Sequence, residues 1–536
     1  MDAREQRRLV QALADALRAA SAPGRAPSAP GGPADAVQVI ETHISYVLLA
    51  GPYAYKIKKA IRLDFLDFST LDARRFYCER ELALNRRFAP ALYLDVVPIT
   101  GAIETPAVGA EGPAIEYALR MRRFSEDLVL SRVLARGELT PAHIDELAEQ
   151  VAAFHRDAEP VPADLPFGTA SEVGALALEN FAELEALLDP AGCAGLSILE
   201  QWTRDQHRRL AGRFDARRRD GFVRACHGDL HLGNIAIVDG RVTLFDGIEF
   251  NERMRWGDVM GDVAFLVMDL EDRGRTDYAA RALNRYLERT GDYSGVRLLP
   301  FYLTYRALVR AKVAQVRAVE QNGPAARRGS DPDYRSYLEL AAGYTRPRRT
   351  AIIITHGFSG SGKTTMTEEL VEIVRGIRIR TDVERKRLAG LEASCRRTSA
   401  VESGLYAPER TRAVYERVCD LAREIVQAGF PVIADGAFLK RWQRDLLRRA
   451  AVDLGAAFAI VDFTAPVEVL RARISAREQH GHDASDATVD VLAHQLASAE
   501  ALGPDEEAVT VRVDTTDGAE RGRDATRWAN LLARLG

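Results

Sequence analysis

The spacing of apolar residues changes several times along the first 344 positions of the chain. Apolar residues recur at helical spacing from about Ala3 to Ala20, which predicts a helix, and the Ala/Pro/Gly-rich stretch 21–36 predicts a linker. Short apolar runs at 45–50 and 53–57, separated by a Gly-Pro turn, predict a β-hairpin. With a helix over 69–88 and strands around 93–99 and 115–121, this region resembles a small sheet-rich lobe. Helical periodicity prevails from Thr140 to about Tyr344.

Beyond residue 346 the pattern becomes a regular alternation of strands and helices. The predicted strands are 351–355, 377–380, 431–434 and 457–463, and the predicted helices are 363–375, 408–428 and 441–453. This rhythm predicts a parallel sheet flanked by helices. We therefore expect an N-terminal helix and linker over 1–36, an α+β domain of two lobes over 37–345, and an α/β domain over 346–536.

The first strand of the C-terminal domain leads into a phosphate-binding motif, Gly357-x-x-x-x-Gly362-Lys363-Thr364. Its glycines allow backbone N–H groups to wrap phosphates, Lys363 neutralises their charge, and the Thr364 hydroxyl can hold Mg²⁺. ATP and Mg²⁺ are thus the expected cofactors. The candidate nucleotide-binding residues here are Gly357, Ser359, Gly360, Ser361, Gly362, Lys363, Thr364 and Thr365.

Carboxylates end two other strands of this domain. Asp435 follows an apolar strand and is a candidate Mg²⁺ ligand, although a turn Asp before Gly436 is the alternative. Asp382 lies at the carboxyl edge of the predicted sheet and is the candidate base. Arg385 could clamp an anionic substrate, but a helix N-cap Asp with surface arginines explains the same residues equally well.

Arg473 and Arg477 share a helix face at i,i+4 spacing, and that face could close over a transferring phosphoryl group. A solvated basic face is an equal alternative. Together these motifs resemble P-loop small-molecule kinases of the zeta-toxin, polynucleotide-kinase and gluconate-kinase type over about 346–536. That resemblance implies that Asp382 accepts the proton of the acceptor hydroxyl.

The middle of the chain carries a second motif, His227-Gly-Asp229-Leu-His-Leu-Gly-Asn234. Its Asp and Asn have the spacing of the kinase catalytic loop, so Asp229 would receive a substrate proton and Asn234 would bind Mg²⁺. Twelve residues later, Asp246 in Phe-Asp-Gly would supply the second metal carboxylate. The alternative is a polar turn followed by a β-hairpin.

Two lysines on an upstream strand complete this second set. Lys56 and Lys58 point to one face of the strand, so either could reach the ATP phosphates, and we favour Lys56. Glu79 and Glu81 on the following helix are candidate partners of that lysine, with ordinary surface charge as the alternative.

This constellation resembles the aminoglycoside-phosphotransferase family, within the protein-kinase-like fold, over about 37–344. The resemblance implies a two-lobed kinase-like domain whose hinge lies near Glu116–Leu119. No G-x-G-x-x-G precedes the lysine strand, which departs from the protein-kinase pattern. Over nearly the whole chain, the two halves resemble a bifunctional family of aminoglycoside-phosphotransferase-like and ATP-binding proteins.

Charge and cysteine content indicate which kinds of binding partner and which cellular compartment to expect. A net charge of -4 gives no global attraction to nucleic acid or to an anionic membrane, so small-molecule partners are favoured. The five cysteines are scattered without a C-x-x-C pair, which indicates a reduced, cytoplasmic protein. No stretch approaches the ~18–20 apolar residues of a membrane span.

The sequence therefore predicts a cytoplasmic kinase with two ATP-dependent phosphotransferase domains, each transferring a γ-phosphoryl group to a small-molecule hydroxyl. One alternative is a nucleotide-gated regulator in which one domain binds ATP without turnover, and another is a P-loop ATPase. Neither the acceptors, nor communication between the sites, nor the oligomeric state follows from the sequence.

Overall fold

The computed structural model describes residues 1–20, 37–63, 66–329, 331–391, 407–480, 488–516 and 525–535. The predicted linker at 21–36 lies outside the described residues, as does the side chain of Arg477. The chain divides into two compact units, one formed by 1–173 with 212–262 and the other by 174–211 with 263–536.

The elements are numbered in chain order. Those up to residue 157 are α1 (Ala3–Ala20), β1 (Gln38–Glu41), β2 (Ser45–Ala50), β3 (Tyr53–Lys58), β4 (Arg62–Leu63), β5 (Leu66–Asp67), α2 (Leu71–Asn85), β6 (Tyr93–Ala102), β7 (Thr105–Val108), β8 (Ala114–Arg122), α3 (Leu130–Ala135) and α4 (Pro141–Asp157). Those from 170 to 345 are α5 (Ala170–Leu187), α6 (Leu196–Arg219), β9 (Val223–Ala225), β10 (Ile235–Val238), β11 (Arg241–Leu244), α7 (Glu252–Arg255), β12 (Trp256–Asp258), α8 (Val259–Asp272), α9 (Thr276–Thr290), α10 (Leu299–Asn322) and α11 (Pro332–Thr345). Those of the C-terminal part are β13 (Ala351–His356), α12 (Lys363–Val374), β14 (Ile377–Arg380), α13 (Thr381–Leu388), α14 (Pro408–Gln427), β15 (Val432–Asp435), α15 (Arg441–Asp453), β16 (Ala457–Thr464), α16 (Val467–His480), α17 (Val489–Ser498), α18 (Pro504–Glu507), β17 (Thr510–Asp514) and α19 (Ala529–Leu535).

The first unit is built on a six-stranded antiparallel sheet with strand order β1-β2-β3-β8-β6-β7. Leu48 and Leu49 belong to different core clusters because successive side chains in a strand point to opposite faces. Helix α1 covers one face through Leu9 and Leu13, and Cys78 of α2 lies in the cluster on the other. The predicted N-terminal helix and the β2–β3 hairpin are confirmed.

The expected hinge near Glu116–Leu119 is wrong, because strand β8 continues through these residues to Arg122. Glu116 is fully buried, and its carboxylate accepts hydrogen bonds from the guanidinium of Arg74 on α2. A residue held inside a paired strand cannot act as the flexible connection that was expected there.

The second unit contains a five-stranded parallel sheet with strand order β14-β15-β13-β16-β17. Its central strand, β13, contains three consecutive isoleucines (352–354) that are completely buried, as a strand covered on both faces requires. The predicted alternation of strands and helices beyond residue 346 is confirmed.

Helices that precede residue 346 belong to the same compact unit as this sheet. Ala280 of α9 shares a core cluster with Ile353, Leu370 and Ile433. In the described part of the chain, no helix is long and apolar enough to cross a membrane.

Candidate active sites

The candidate site of the first unit is centred on the lysine strand β3. Lys56 Nζ lies 2.7 Å from Glu81 Oε1 and also contacts Asp246 Oδ1, whereas Lys58 Nζ lies 2.7 Å from Glu81 Oε2 and contacts Glu249. The lysines differ in access, because 13% of the Lys56 side chain is exposed but only 1% of that of Lys58. Lys56 is therefore the more accessible of the two lysines.

Burial and charge act in opposite directions on the two glutamates of this cluster. Burial raises the pKa of the Glu81 carboxyl, but the attraction of Lys56 and Lys58 outweighs it and lowers the pKa to about 2. For Glu249, burial dominates over Lys58 and raises the pKa to about 7. Glu79 takes no part, since it pairs with Arg75 one turn away at 2.9 Å.

The catalytic-loop candidates, Asp229 and Asn234, lie in contact. Asn234 Nδ2 donates to Asp229 Oδ2 at 2.9 Å and to the Asp229 carbonyl at 3.0 Å, which fixes the carboxylate relative to the loop. His231 Nε2 lies 3.3 Å from the same carboxylate oxygen. The spacing of five residues thus allows the Asn234 side chain to bond back to Asp229 across the loop.

A buried carboxylate holds the start of this loop. Asp262 accepts hydrogen bonds from the backbone amides of His227 and Gly228 at 2.7 and 3.0 Å. His227 Nε2 lies 2.9 Å from the Phe245 carbonyl, so its ring connects the loop to the residue that follows β11. His155, Cys226 and Asp262 bring potential ligand atoms within 4.8 Å of one another, but the two amide hydrogen bonds already account for the position of Asp262.

Asp246 occupies a left-handed backbone conformation, with φ at 61°. Such a conformation costs free energy in a non-glycine residue and needs support from its surroundings. The Asp246 amide donates to the Tyr93 hydroxyl at 2.9 Å, and the next amide, of Gly247, donates to Asn85 Oδ1 at 2.7 Å.

Tyr93, Asn85, Glu249 and Asp262 are positioning residues that sequence reasoning missed. Asn85 follows Glu81 by four residues, so helical spacing places both on one face of α2, and that spacing could have identified it. No local pattern marks the other three, which reach the site through tertiary packing.

The first site offers hard oxygen donors that suit Mg²⁺, namely the amide oxygen of Asn234 and the carboxylate of Asp246. The Asp246 side chain is 44% exposed, so a solvated ion has access to it. The residues present therefore fit the implied cation.

In the second unit, the P-loop geometry depends on its glycines. A Cβ at Gly357 would lie 2.5 Å from the Phe463 carbonyl oxygen, and one at Gly360 would lie 2.7 Å from that of Leu470. Both glycines have positive φ, so a side chain there would add backbone strain to the clash. Lys363 Nζ donates to the carbonyls of Gly357 and Phe358 at 2.9 and 2.7 Å, which folds its ammonium back over the loop.

A cavity of about 520 Å³ lies over this loop. Most of the candidate catalytic, nucleotide-binding and metal-binding residues of the C-terminal domain line this cavity. They include Lys363, Thr364, Asp382, Arg385, Asp435 and Arg473. Gly357 and Ser361 are not among the residues that line it, and Ser361 is buried beneath the loop. Sequence positions more than 100 residues apart thus meet in one cavity.

Asp435 is buried at the end of β15, and Thr367 Oγ1 donates to its Oδ2 at 3.2 Å. With the Thr364 hydroxyl in the same cavity, the oxygen donors again fit Mg²⁺. Arg473 donates to carbonyls of Gly360 (3.4 Å) and Thr515, and thereby ties α16 to the P-loop.

Around the sequence candidates Arg385 and Ser359, the cavity is lined by residues that carried no recognisable sequence signal, namely Thr411, Tyr415, Trp442 and Gln495. The rings of Tyr415 and Trp442 meet edge to face with centroids 5.5 Å apart, and Arg385 Nη1 donates to Thr411 Oγ1 at 3.3 Å. Gln495 Oε1 on α17 accepts from the Ser359 amide at 2.9 Å. These residues lie on α14, α15 and α17, and only the packing of those helices brings them to the loop.

Two family models match different parts of the chain. Residues 73–299 match the sequence model of the phosphotransferase enzyme family, and residues 352–502 match that of an AAA domain. An uncharacterised protein of Mycobacterium tuberculosis strain H37Rv is 33% identical over 463 residues, which are 85% of this chain and 89% of that protein. The chain belongs to the same two-domain family as this relative, with a phosphotransferase-like part followed by a P-loop kinase-like part.

Two similar solved structures each match one part of the chain. A choline/ethanolamine kinase family protein from Mesorhizobium loti is 15% identical, covering 61% of this chain and 98% of that chain with a TM-score of 0.34. A gluconokinase from Sinorhizobium meliloti 1021 is 25% identical, covering 35% of this chain and 93% of that chain with a TM-score of 0.24. Scores of this size decide nothing about function by themselves.

Proposed function

We propose that the protein is a tandem ATP-dependent kinase whose two sites each transfer the γ-phosphoryl group of ATP to a hydroxyl of a small molecule. The observation that carries the proposal is that each compact unit holds its own set of phosphate-directed cations and carboxylates, Lys56 with Asp229 and Asp246 in one and Lys363 with Asp382 and Asp435 in the other. Phosphoryl transfer depends mainly on positioning and charge stabilisation, for which these residue types suffice.

At the first site, Lys56 directs its ammonium toward the phosphates, and Glu81 sets its position. Asp229, held by Asn234, accepts the proton of the acceptor hydroxyl as the new O–P bond forms. Mg²⁺, when held by Asn234 and Asp246, would neutralise charge on the transferring phosphates.

At the second site, the P-loop amides and Lys363 bind the phosphates, and Arg473 lies against the same loop. Asp382 accepts the proton of the acceptor hydroxyl, and Thr364 and Asp435 would hold the cation. Arg385, only 8% exposed, supports an acceptor with an anionic group, and the Tyr415–Trp442 pair beside it supports one with a ring or an apolar face.

The proposed location is the cytoplasm, where ATP is abundant and thiols stay reduced. The four cysteines in the described part of the chain, Cys78, Cys193, Cys226 and Cys419, form no disulfide bonds. The proposed partners are small-molecule acceptors rather than nucleic acid or membrane.

The test is Mg²⁺-dependent ADP release across a panel of sugars, sugar acids, aminoglycosides, nucleosides and sugar nucleotides. Wild type is compared with Asp229→Ala and Lys363→Ala, each of which disables one proposed site. We expect an acceptor whose stimulation disappears only in Asp229→Ala and another whose stimulation disappears only in Lys363→Ala.

Two results would contradict the proposal. ATP binding without stimulated turnover by any acceptor would favour a nucleotide-gated regulator. Acceptor-independent ADP release that is lost in Lys363→Ala would favour a P-loop ATPase.

A further inference from the structure

Helix α9 and the segment after it cover the backbone of an edge strand in the P-loop sheet. Strand β14 ends the sheet order, so among the described residues no strand pairs with one of its sides. Asn284 takes that place, because its Nδ2 donates to the Gly376 carbonyl at 2.9 Å and its Oδ1 accepts from the Arg378 amide at 2.6 Å. The Tyr293 hydroxyl donates to the Arg378 carbonyl at 3.2 Å.

One turn beyond Asn284 on the same helix, Glu288 bridges two arginines of the strand. Its Oε2 lies 3.1 Å from Arg378 Nη2, and its Oε1 lies 2.7 Å from Arg380 Nη1. Arg378 and Arg380 are two residues apart on β14, so they project from the same face. Only 12% of the Glu288 side chain is exposed, so water screens its attraction for the two arginines only weakly.

Both arginines also contact residues of the P-loop site. Arg378 Nη1 donates to the Thr364 carbonyl and to Thr367 Oγ1, each at 3.1 Å. Arg380 lines the cavity, and its Nε lies 3.9 Å from Asp435 Oδ2. The Glu288 carboxylate thus contacts both the arginine that binds the first turn of α12 and the arginine that lies next to Asp435, the candidate cation ligand.

We propose that Glu288, which lies within the phosphotransferase-like part of the sequence, is a positioning residue of the P-loop site that keeps Arg380 from pairing fully with Asp435. This inference rests on the proposed function of that site. Glu288 provides the alternative partner of Arg380, so the Asp435 carboxylate stays available to the cation.

Loss of the Glu288 charge leaves two neighbouring guanidinium groups without their shared anion. Among the ion pairs recorded for Arg380 in the described part of the chain, that with Asp435 then remains, and a closer ion pair between the two competes with Mg²⁺ for the same oxygens. The expected consequence is a higher Mg²⁺ requirement, and removing Arg380 as well should abolish that penalty.

The experiment measures binding of a non-hydrolysable ATP analogue by calorimetry over a series of Mg²⁺ concentrations. The full chain is used in a Lys56→Ala background, which weakens nucleotide binding at the other site. For Glu288→Gln we expect the Mg²⁺ concentration at half-maximal binding to rise about tenfold, the size of effect that an opposite charge has on proton binding by a nearby carboxylate. For Glu288→Gln with Arg380→Gln, we expect a return toward the background value.

Glu372→Gln is the matched control, because it breaks another ion pair between α9 and α12, Arg281–Glu372 at 3.1 Å. It should leave the Mg²⁺ midpoint unchanged even where it lowers the melting temperature. Equal midpoints in all three variants, or equal shifts for Glu288→Gln and Glu372→Gln, overturn the inference.

If Glu288→Gln does not fold, Glu288→Asp is measured in its place. Its shorter side chain lengthens the ion pair with Arg380 while the negative charge remains. A raised midpoint is expected, and an unchanged one overturns the inference. Failure of the underlying site is distinguished by Lys363→Ala, because full nucleotide binding in that variant contradicts the proposed P-loop function itself.

Discussion

Lys56 and Lys58 show how two residues of the same type on one strand acquire different roles. They share Glu81, but Lys56 also contacts the 44%-exposed Asp246, whereas Lys58 contacts the buried Glu249. The first lysine therefore faces a region that a ligand can enter, and the second is part of the core.

Lys56→Ala and Lys58→Ala form a matched pair on β3. We expect Lys56→Ala to reduce turnover at the first site by about 10²-fold or more, because it removes a charge aimed at the phosphates. Lys58→Ala should cost about 3–5 kcal/mol of stability, because it leaves the buried Glu249 without its lysine partner and leaves Glu81 paired with Lys56 alone. Steady-state kinetics and urea unfolding measure both effects, and the reverse assignment of the two effects would refute this division of roles.

The depressed pKa of Glu81 predicts a specific pH dependence of stability. Because the pKa of this carboxyl falls from 4.5 to about 2 on folding, its contribution is full above about pH 4.5 and is lost as pH falls toward 2. At 1.36 kcal/mol per pKa unit, the whole effect is about 3 kcal/mol.

Urea unfolding at pH 6 and pH 3 tests this expectation. Stability should fall less between these pH values in Glu81→Gln than in wild type, because the amide does not titrate. Glu79→Gln, on the exposed side of the same helix, should retain the wild-type slope, and identical slopes for all three proteins would count against the pKa shift.

At the scale of elements, α1 is joined to the kinase-like sheet by one buried polar side chain. Gln6 Nε2 donates to the Lys58 carbonyl and to Glu116 Oε2, both at 2.8 Å, and its Oε1 accepts from the Ala60 amide at 2.7 Å. The helix thus contacts the end of the lysine strand and, through Glu116, a strand that pairs with it.

Gln6→Ala should destabilise the protein by about 1–3 kcal/mol, because two buried polar groups and one partly buried amide lose a partner. Gln11→Ala is the control, since Gln11 lies on the exposed face of the same helix. Thermal melting distinguishes the two, and equal melting temperatures would mean that α1 contributes only its apolar face.

At the scale of the whole molecule, the end of the match to the phosphotransferase enzyme family does not coincide with the boundary between the two compact units. The match to the phosphotransferase enzyme family extends to residue 299, yet α9, within that range, packs in the same unit as the parallel sheet. Ala280 and Asn284 supply part of the core and part of the strand pairing that the sheet lacks on its own.

We therefore expect a fragment of 346–536 to be markedly less stable than one of 263–536. The shorter fragment exposes apolar core surface and an unpaired strand edge, which also favours aggregation. Circular dichroism melts and size-exclusion chromatography of both fragments measure this. A monomeric 346–536 fragment with the same melting temperature would show that α9 is dispensable for folding.

The sequence determined the fold classes and the motif residues, because both depend on local patterns. The alternation of strands and helices after residue 346 and the β2–β3 hairpin follow from periodicity and turn residues. The P-loop and the Asp229–Asn234 spacing are recognisable because their chemistry requires fixed residue types at fixed separations.

Tertiary structure alone decided which candidates meet and which residues support them. The difference between Lys56 and Lys58 depends on the packing of Glu249, and the role of Glu288 depends on α9 reaching an edge strand about 90 residues further along the chain. Such contacts join elements distant in sequence and leave no periodic or spacing pattern, because the free energy that selects them comes from burial and charge pairing in the folded state.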